Sequence, residues 1–107
     1  MSNITKFAAW RPKAKERLER LGFSVSYFDS PPSMNSSMRL DFKNEILEAT
    51  LIVWEFGDVV PEAYSLGADQ FIDVERKDLS DDGLEVLLDD YLDQILKAGM
   101  SNERRAE

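Results

Sequence analysis

LIVWEFGD, residues 51–58, is the stretch on which the fold turns. If it is a β-strand, Leu51, Val53 and Glu55 point to one face while Ile52, Trp54 and Phe56 point to the other, because strand side chains alternate with period two. Both faces are then apolar. The chain's own helices can cover one of them, and what covers the second is a question about function.

The flanking segments extend the same pattern. MRLDFK, residues 38–43, alternates Met38, Leu40 and Phe42 inward against Arg39, Asp41 and Lys43 outward, and FSVSYF, residues 23–28, alternates Phe23, Val25 and Tyr27 against serines as a half-buried strand. Between these two strands DSPPSMNSS, with its two prolines and four serines, forms a loop. NEILEA turns the chain into the strand ATLIVWEF, residues 49–56. GDVVP is then a loop before a shorter strand around EAYSL, residues 62–66, and a tight turn at Gly67-Ala68-Asp69 leads to the last strand, QFIDVE, residues 70–75. Such short connections favour an antiparallel meander over a parallel sheet.

A helix stands at each end. Ile4, Phe7, Trp10, Ala14, Leu18 and Leu21 recur at spacings of three and four, one face of a helix over residues 4–21. Pro12 makes this either one kinked helix or a short turn followed by a helix with the proline in its first turn; the common phase of Phe7, Trp10 and Leu18 favours the single helix. Gly22 supplies a left-handed cap. Leu84, Leu87, Leu88, Tyr91, Leu92, Ile95 and Leu96 form the stripe of the final helix, with Ser80 as N-cap, Asp81 and Asp82 at its positive end, and Gly99 as its stop. The expected fold is therefore α+β: an antiparallel meander of four or five strands with one N-terminal and one C-terminal helix. It forms a single domain over residues 1–107, ordered over about 4–99, with 100–107 a frayed tail.

Chemistry is sparse in this chain. It contains no cysteine and no histidine, which removes disulfides, thiolate metal sites and the usual proton shuttle. Its five glycines stand at least ten residues apart, so no phosphate-cradling loop is present. No Ser-x-x-Lys occurs. The carboxylates Asp82, Glu85, Asp89 and Asp93 follow helical spacing, as a solvated helix face requires, and SDDGLEVLLDD places leucines where a calcium loop needs oxygen ligands. Neither a metal nor a cofactor is expected, and the chain reads as a non-enzyme.

The N-terminal residues MSNITKFAAW have no basic segment followed by an apolar run of secretory length, and nowhere do about 18 apolar residues occur together. A cytoplasmic protein without membrane contact is the expectation. The net charge is −8, and it is unevenly spread. Residues 1–22 carry six basic groups against Glu16 and Glu19, whereas residues 44–100 carry fifteen acids against Arg76, Lys77 and Lys97. Such a field repels nucleic acid and steers association toward a basic partner.

Binding needs no activated group. Trp54, Phe56 and Tyr64 are aromatics with acidic neighbours, the combination of large contact area and charge that anchors interfaces. Trp54, Glu55, Asp58, Glu62 and Tyr64 make one candidate patch, extended by Arg39 and Asp41 on the adjacent strand. The alternative patch is the acidic helix face Glu85, Asp89 and Asp93, which lacks aromatics. A bland reading also stands: the terminal helices pack on opposite faces and bury these rings.

SPPSMNSSMRLDF followed by ATLIVWEFGD, after a helix ending LERLGF and before an acidic, leucine-rich helix, resembles the TriTu-type immunity proteins over about residues 5 to 97. The resemblance implies a small cytoplasmic protein that binds a cognate toxin in a 1:1 complex. That toxin would be an ADP-ribosyltransferase of type VI secretion that modifies the translation factor EF-Tu, and the immunity protein would block its NAD or target site. A rival reading is an acidic secretion chaperone that holds an extended effector segment. A DNA mimic, which would set acids in evenly spaced rows, fits less well.

Overall fold

The computed structural model describes residues 2–31, 34–56, 58–77 and 83–105. Helix α1, Asn3–Arg20, is followed by strands β1 (Ser24–Asp29), β2 (Ser37–Lys43), β3 (Leu47–Trp54), β4 (Val59–Ser65) and β5 (Gln70–Phe71), and by helix α2, Leu84–Arg105. The strands form one five-stranded sheet in the order β1-β2-β3-β4-β5, every neighbouring pair antiparallel. This is the α+β meander expected from the alternation.

Helix α1 runs unbroken through Pro12, as the shared phase of Phe7, Trp10 and Leu18 requires. Ser2 caps its start by accepting a 3.1 Å hydrogen bond from the Thr5 amide. Gly22 ends it at a φ of +93°, with its amide on the Glu19 carbonyl and the Phe23 amide on the Leu18 carbonyl.

The central strand is shifted from the expected 49–56 to Leu47–Trp54, because Asn44 closes the preceding turn on the Ile46 and Leu47 amides and the Trp54 amide closes the next on the Asp58 carbonyl. Three further boundaries differ from expectation, each for a local reason. Within GDVVP, residues 59–61 are strand and not loop: Val59 pairs with Val53 and Pro61 with Leu51, so β4 starts three residues before Glu62. In the alternating ladder Pro61 turns its missing donor away from β3, the position where a strand tolerates proline. QFIDVE pairs only through Gln70 and Phe71: past the bond from the Ile72 amide to the Ala63 carbonyl, the next outward position of β4 is Pro61, which has no N–H to give. Ile72 and Val74 pack on the core outside the sheet. Helix α2 does not stop at Gly99 but continues to Arg105. Gly99 is a close-approach residue and not a cap: a Cβ there would lie 2.8 Å from Leu47 Cδ2. Ser80, Asp81 and Asp82, expected to cap α2, lie outside the described residues.

Both helices pack on the same face of the sheet and against each other, α1 over β1–β3 and α2 over β3 and β4. The core between them holds Phe7, Leu18, Leu40, Phe42, Leu51, Val53 and the whole apolar stripe of α2 from Leu84 to Leu96. The buried Tyr91 hydroxyl is satisfied by the Lys77 backbone, accepting from its N–H and donating to its C=O at 2.9 Å. Among the described residues no helix is long and apolar enough to cross a membrane.

Candidate functional site

With both helices on one face, the other face of the sheet has no cover from the described chain. Antiparallel sheets tolerate this when the open face is polar. Here it is mixed, and the strand register sorts it into rows. Phe28, Arg39, Ile52 and Val60 stand side by side across β1 to β4; next to them run Ser26, Asp41, Thr50 and Glu62; beyond those come Ser24, Lys43, Glu48, Tyr64 and Phe71. Trp54 closes the apolar end of β3. An apolar row therefore lies beside a row carrying two carboxylates, with an aromatic pair at the far corner.

The alternation read from LIVWEFGD holds as far as the strand runs: Leu51 and Val53 are fully buried, whereas Trp54 is 37% exposed on the opposite side, and Glu55 and Phe56 lie beyond the strand's end. Tyr64 and Phe71 meet edge to face at 5.1 Å, and the Tyr64 hydroxyl donates to Asp69, a bond that raises the phenol above its ordinary pKa. Phe71 is 79% exposed and Phe28 51%. The Arg39 guanidinium lies 4.4 Å over the Phe28 ring, with its Nε 2.9 Å from Asp41 Oδ1 in a charge contact that lacks hydrogen-bond alignment. Thr50 donates to the same Asp41 oxygen at 3.0 Å. Asp41 is thus neutralised within the face, while Glu62 has no hydrogen bond or ion pair among the described residues. Two shallow hollows, of about 230 and 190 Å³, flank Glu48 and Thr50. Ser24, Ser26, Phe28 and Lys43 line the larger; Glu62, Tyr64 and Phe71 line the smaller.

The expected patch is largely brought together. Trp54, Glu62, Tyr64, Arg39 and Asp41 share the open face. Glu55 and Asp58 sit in the β3–β4 turn at its margin, where the Glu55 amide donates to the Ser36 carbonyl and the Asp58 carbonyl receives the Trp54 amide. Phe56 projects from this turn, 71% exposed, beside the equally bare Met34 loop, to which its amide is tied through Asn35 Oδ1 at 2.8 Å. Sequence reasoning placed Ile52 on this face beside Trp54 but did not single out Phe28, Val60 and Phe71. Their common phase with Trp54 is the signal that finds them, but it becomes readable only once the register is known.

The alternative acidic face is differently employed. Asp89 accepts from Trp10 Nε1 and Asp93 from Arg17, both at 2.9 Å, so these carboxylates join the two helices. Glu85 alone of the three is left to solvent. Among the described residues no group of three or more potential ligands is placed to hold a metal ion.

Comparison with curated proteins and with solved structures finds no match. Residues 5–94 match the family model described as immunity protein TriTu. That match spans most of the chain, nearly all of α1, the entire sheet and the first half of α2, and the chain belongs to the TriTu family of immunity proteins.

Proposed function

We propose that this protein neutralises a cognate ADP-ribosyltransferase toxin, of the type that modifies EF-Tu and is delivered by type VI secretion, by laying its open sheet face over the toxin's NAD or target site. One observation carries the reading: Phe28, Ile52 and Val60, with Arg39 lying over Phe28 and Trp54 next to Ile52 along β3, form a mainly apolar strip without cover from the described chain, beside Asp41 and Glu62. An exposed apolar strip rimmed by charge marks an interaction surface. A transferase that binds the pyrophosphate of NAD gathers basic groups around its cleft, which an acidic inhibitor complements. Glu62 beside the Tyr64 and Phe71 rings suits the head and stem of a toxin lysine or arginine. The protein works without catalysis, as a 1:1 binder, in the cytoplasm where EF-Tu is found. The resemblance carried by SPPSMNSSMRLDF and ATLIVWEFGD, together with the family membership, supports this assignment.

The test is titration of a purified cognate toxin domain with this protein, read as labelled ADP-ribose transferred to EF-Tu. Activity should fall to zero near one equivalent, and Trp54→Ala should shift the curve without lowering the melting temperature. Full inhibition by a Trp54→Ala, Ile52→Lys double variant would remove the open face from the mechanism. Binding only to an unfolded toxin segment would move the protein to the chaperone class.

A further inference from the structure

The two edges of the sheet are unlike. β5 is two residues long and borders on Pro61, so that edge has little to offer an incoming strand. β1 is six residues long, five of them exposed, and contains neither proline nor lysine, the usual devices that blunt an edge. The Ser30 amide bonds the Ser37 carbonyl, so by the antiparallel alternation the even residues of β1 face β2. The N–H and C=O groups of Val25, Tyr27 and Asp29 therefore point outward.

We infer that β1 pairs with β1 of a second copy of this chain, antiparallel about a two-fold axis at Ser26, to give a dimer with one continuous ten-stranded sheet. Charge favours a second copy at this place. The molecule carries a net charge of −8, which opposes self-association elsewhere, but the acids of residues 23–43, Asp29 and Asp41, are matched by Arg39 and Lys43. Asp29 is further neutralised by Arg11 at 2.7 Å. Shape favours it too. Centring on Ser26 sets Val25 opposite Tyr27 and Phe28 opposite Ser24. The half-exposed Phe28 ring of each copy then reaches the hollow of about 230 Å³ floored by Ser24 and Ser26 of the other. The two open faces lie on the same side of the combined sheet; the pairing engages Phe28 at the β1 margin of each and leaves Arg39, Ile52, Val60, Trp54 and Tyr64 uncovered.

The pairing makes a register-specific test possible because the native chain has no cysteine. Ser26 meets its own mate at a non-hydrogen-bonded position, where Cα atoms stand about 4.5 Å apart, within the range a disulfide spans. Light scattering of the native chain should give twice its 12.3 kDa mass at micromolar concentration. Ser26→Cys should form a covalent dimer under mild oxidation. Ser26→Lys, an exposed substitution that places two like charges at the axis, should be monomeric while keeping the native circular dichroism spectrum. A native chain that stays monomeric at every concentration overturns the inference, as does a dimer that Ser26→Lys leaves intact or a Ser26→Cys chain that does not cross-link. A dimer that fails to inhibit any toxin counts against the proposed function alone, and a monomer that inhibits counts against this inference alone.

Discussion

Trp10 on α1 donates its indole N–H to Asp89 on α2 across 2.9 Å, with the Trp10 ring almost wholly buried. The bond turns what looks like a solvated acidic helix face into part of the joint between the two helices. Asp89→Ala strands a buried donor and should lower stability by about 1–3 kcal/mol, while Asp89→Asn, which keeps an acceptor, should recover most of that. Glu85→Ala, one turn earlier and solvated, should change stability by less than about 0.5 kcal/mol. Urea denaturation with an unchanged slope checks all three, and none of them should alter toxin inhibition.

The open face should behave in the opposite way. Trp54→Ala should weaken toxin binding by roughly 30-fold or more, the ~2 kcal/mol of a central aromatic anchor, at little cost to the melting temperature. Glu62→Ala should chiefly slow association and flatten its salt dependence. Surface plasmon resonance at two ionic strengths separates the effects. Equal losses of binding and of folding stability in Trp54→Ala would mean the ring is part of the core and not of an interface.

Arg11 is a buried cation whose outlets are Asp29 at 2.7 Å, the Arg39 carbonyl at 3.4 Å and the Tyr27 ring 4.4 Å away. Its Nε is buried without a partner. Asp29→Ala leaves this charge without its counter-ion and should cost about 1–2 kcal/mol, less than the 3–5 of a fully buried pair because Asp29 is 47% exposed. Arg11→Met removes the cation along with the pair and should cost less than Asp29→Ala. Comparison of thermal melts decides the order.

Asp90 accepts from Gln94 Nε2 at 2.9 Å and lies 3.2 Å from Lys77 Nζ; the Gln94 bond, and then Lys77, hold its carboxyl below the ordinary carboxylate range. A lowered folded-state pKa means the folded protein prefers the ionised form. The resulting stabilisation is present above the ordinary value near about 4 and is lost as pH falls through the folded value. Gln94→Leu should raise the Asp90 titration midpoint toward the ordinary value, read by carbon NMR of the carboxyl group. A midpoint unmoved by that change would assign the shift to Lys77.

Much of this was legible in the chain itself, and the particular residues show why. Leu51 and Val53 against Ile52 and Trp54 gave both the strand and its two-sidedness, because period two leaves no other arrangement. The stripe from Leu84 to Leu96 gave α2 for the same kind of reason. What a single strand cannot reveal is its lateral neighbours. That Phe28, Arg39, Ile52 and Val60 form one row depends on register across four strands, which tertiary pairing sets. Gly99 misled because glycine serves equally as a helix stop and as a place for close packing, and only the position of Leu47 distinguishes the two. Asp89 and Asp93 read as solvated because helical spacing says nothing of a facing helix that brings Trp10 and Arg17.

The one-sided placement of both helices also bears on how this protein can change over generations. Every strand sends alternate residues to a packed core and to a bare surface, so two nearly independent sets of positions are interleaved along the same few segments. A substitution at Ile52, Val60 or Glu62 alters the bare surface and disturbs little of what holds the molecule together, whereas its neighbours Leu51, Pro61 and Ala63 have no such freedom. On the function proposed above, this protein can therefore retune its specificity by single nucleotide steps without first acquiring spare stability.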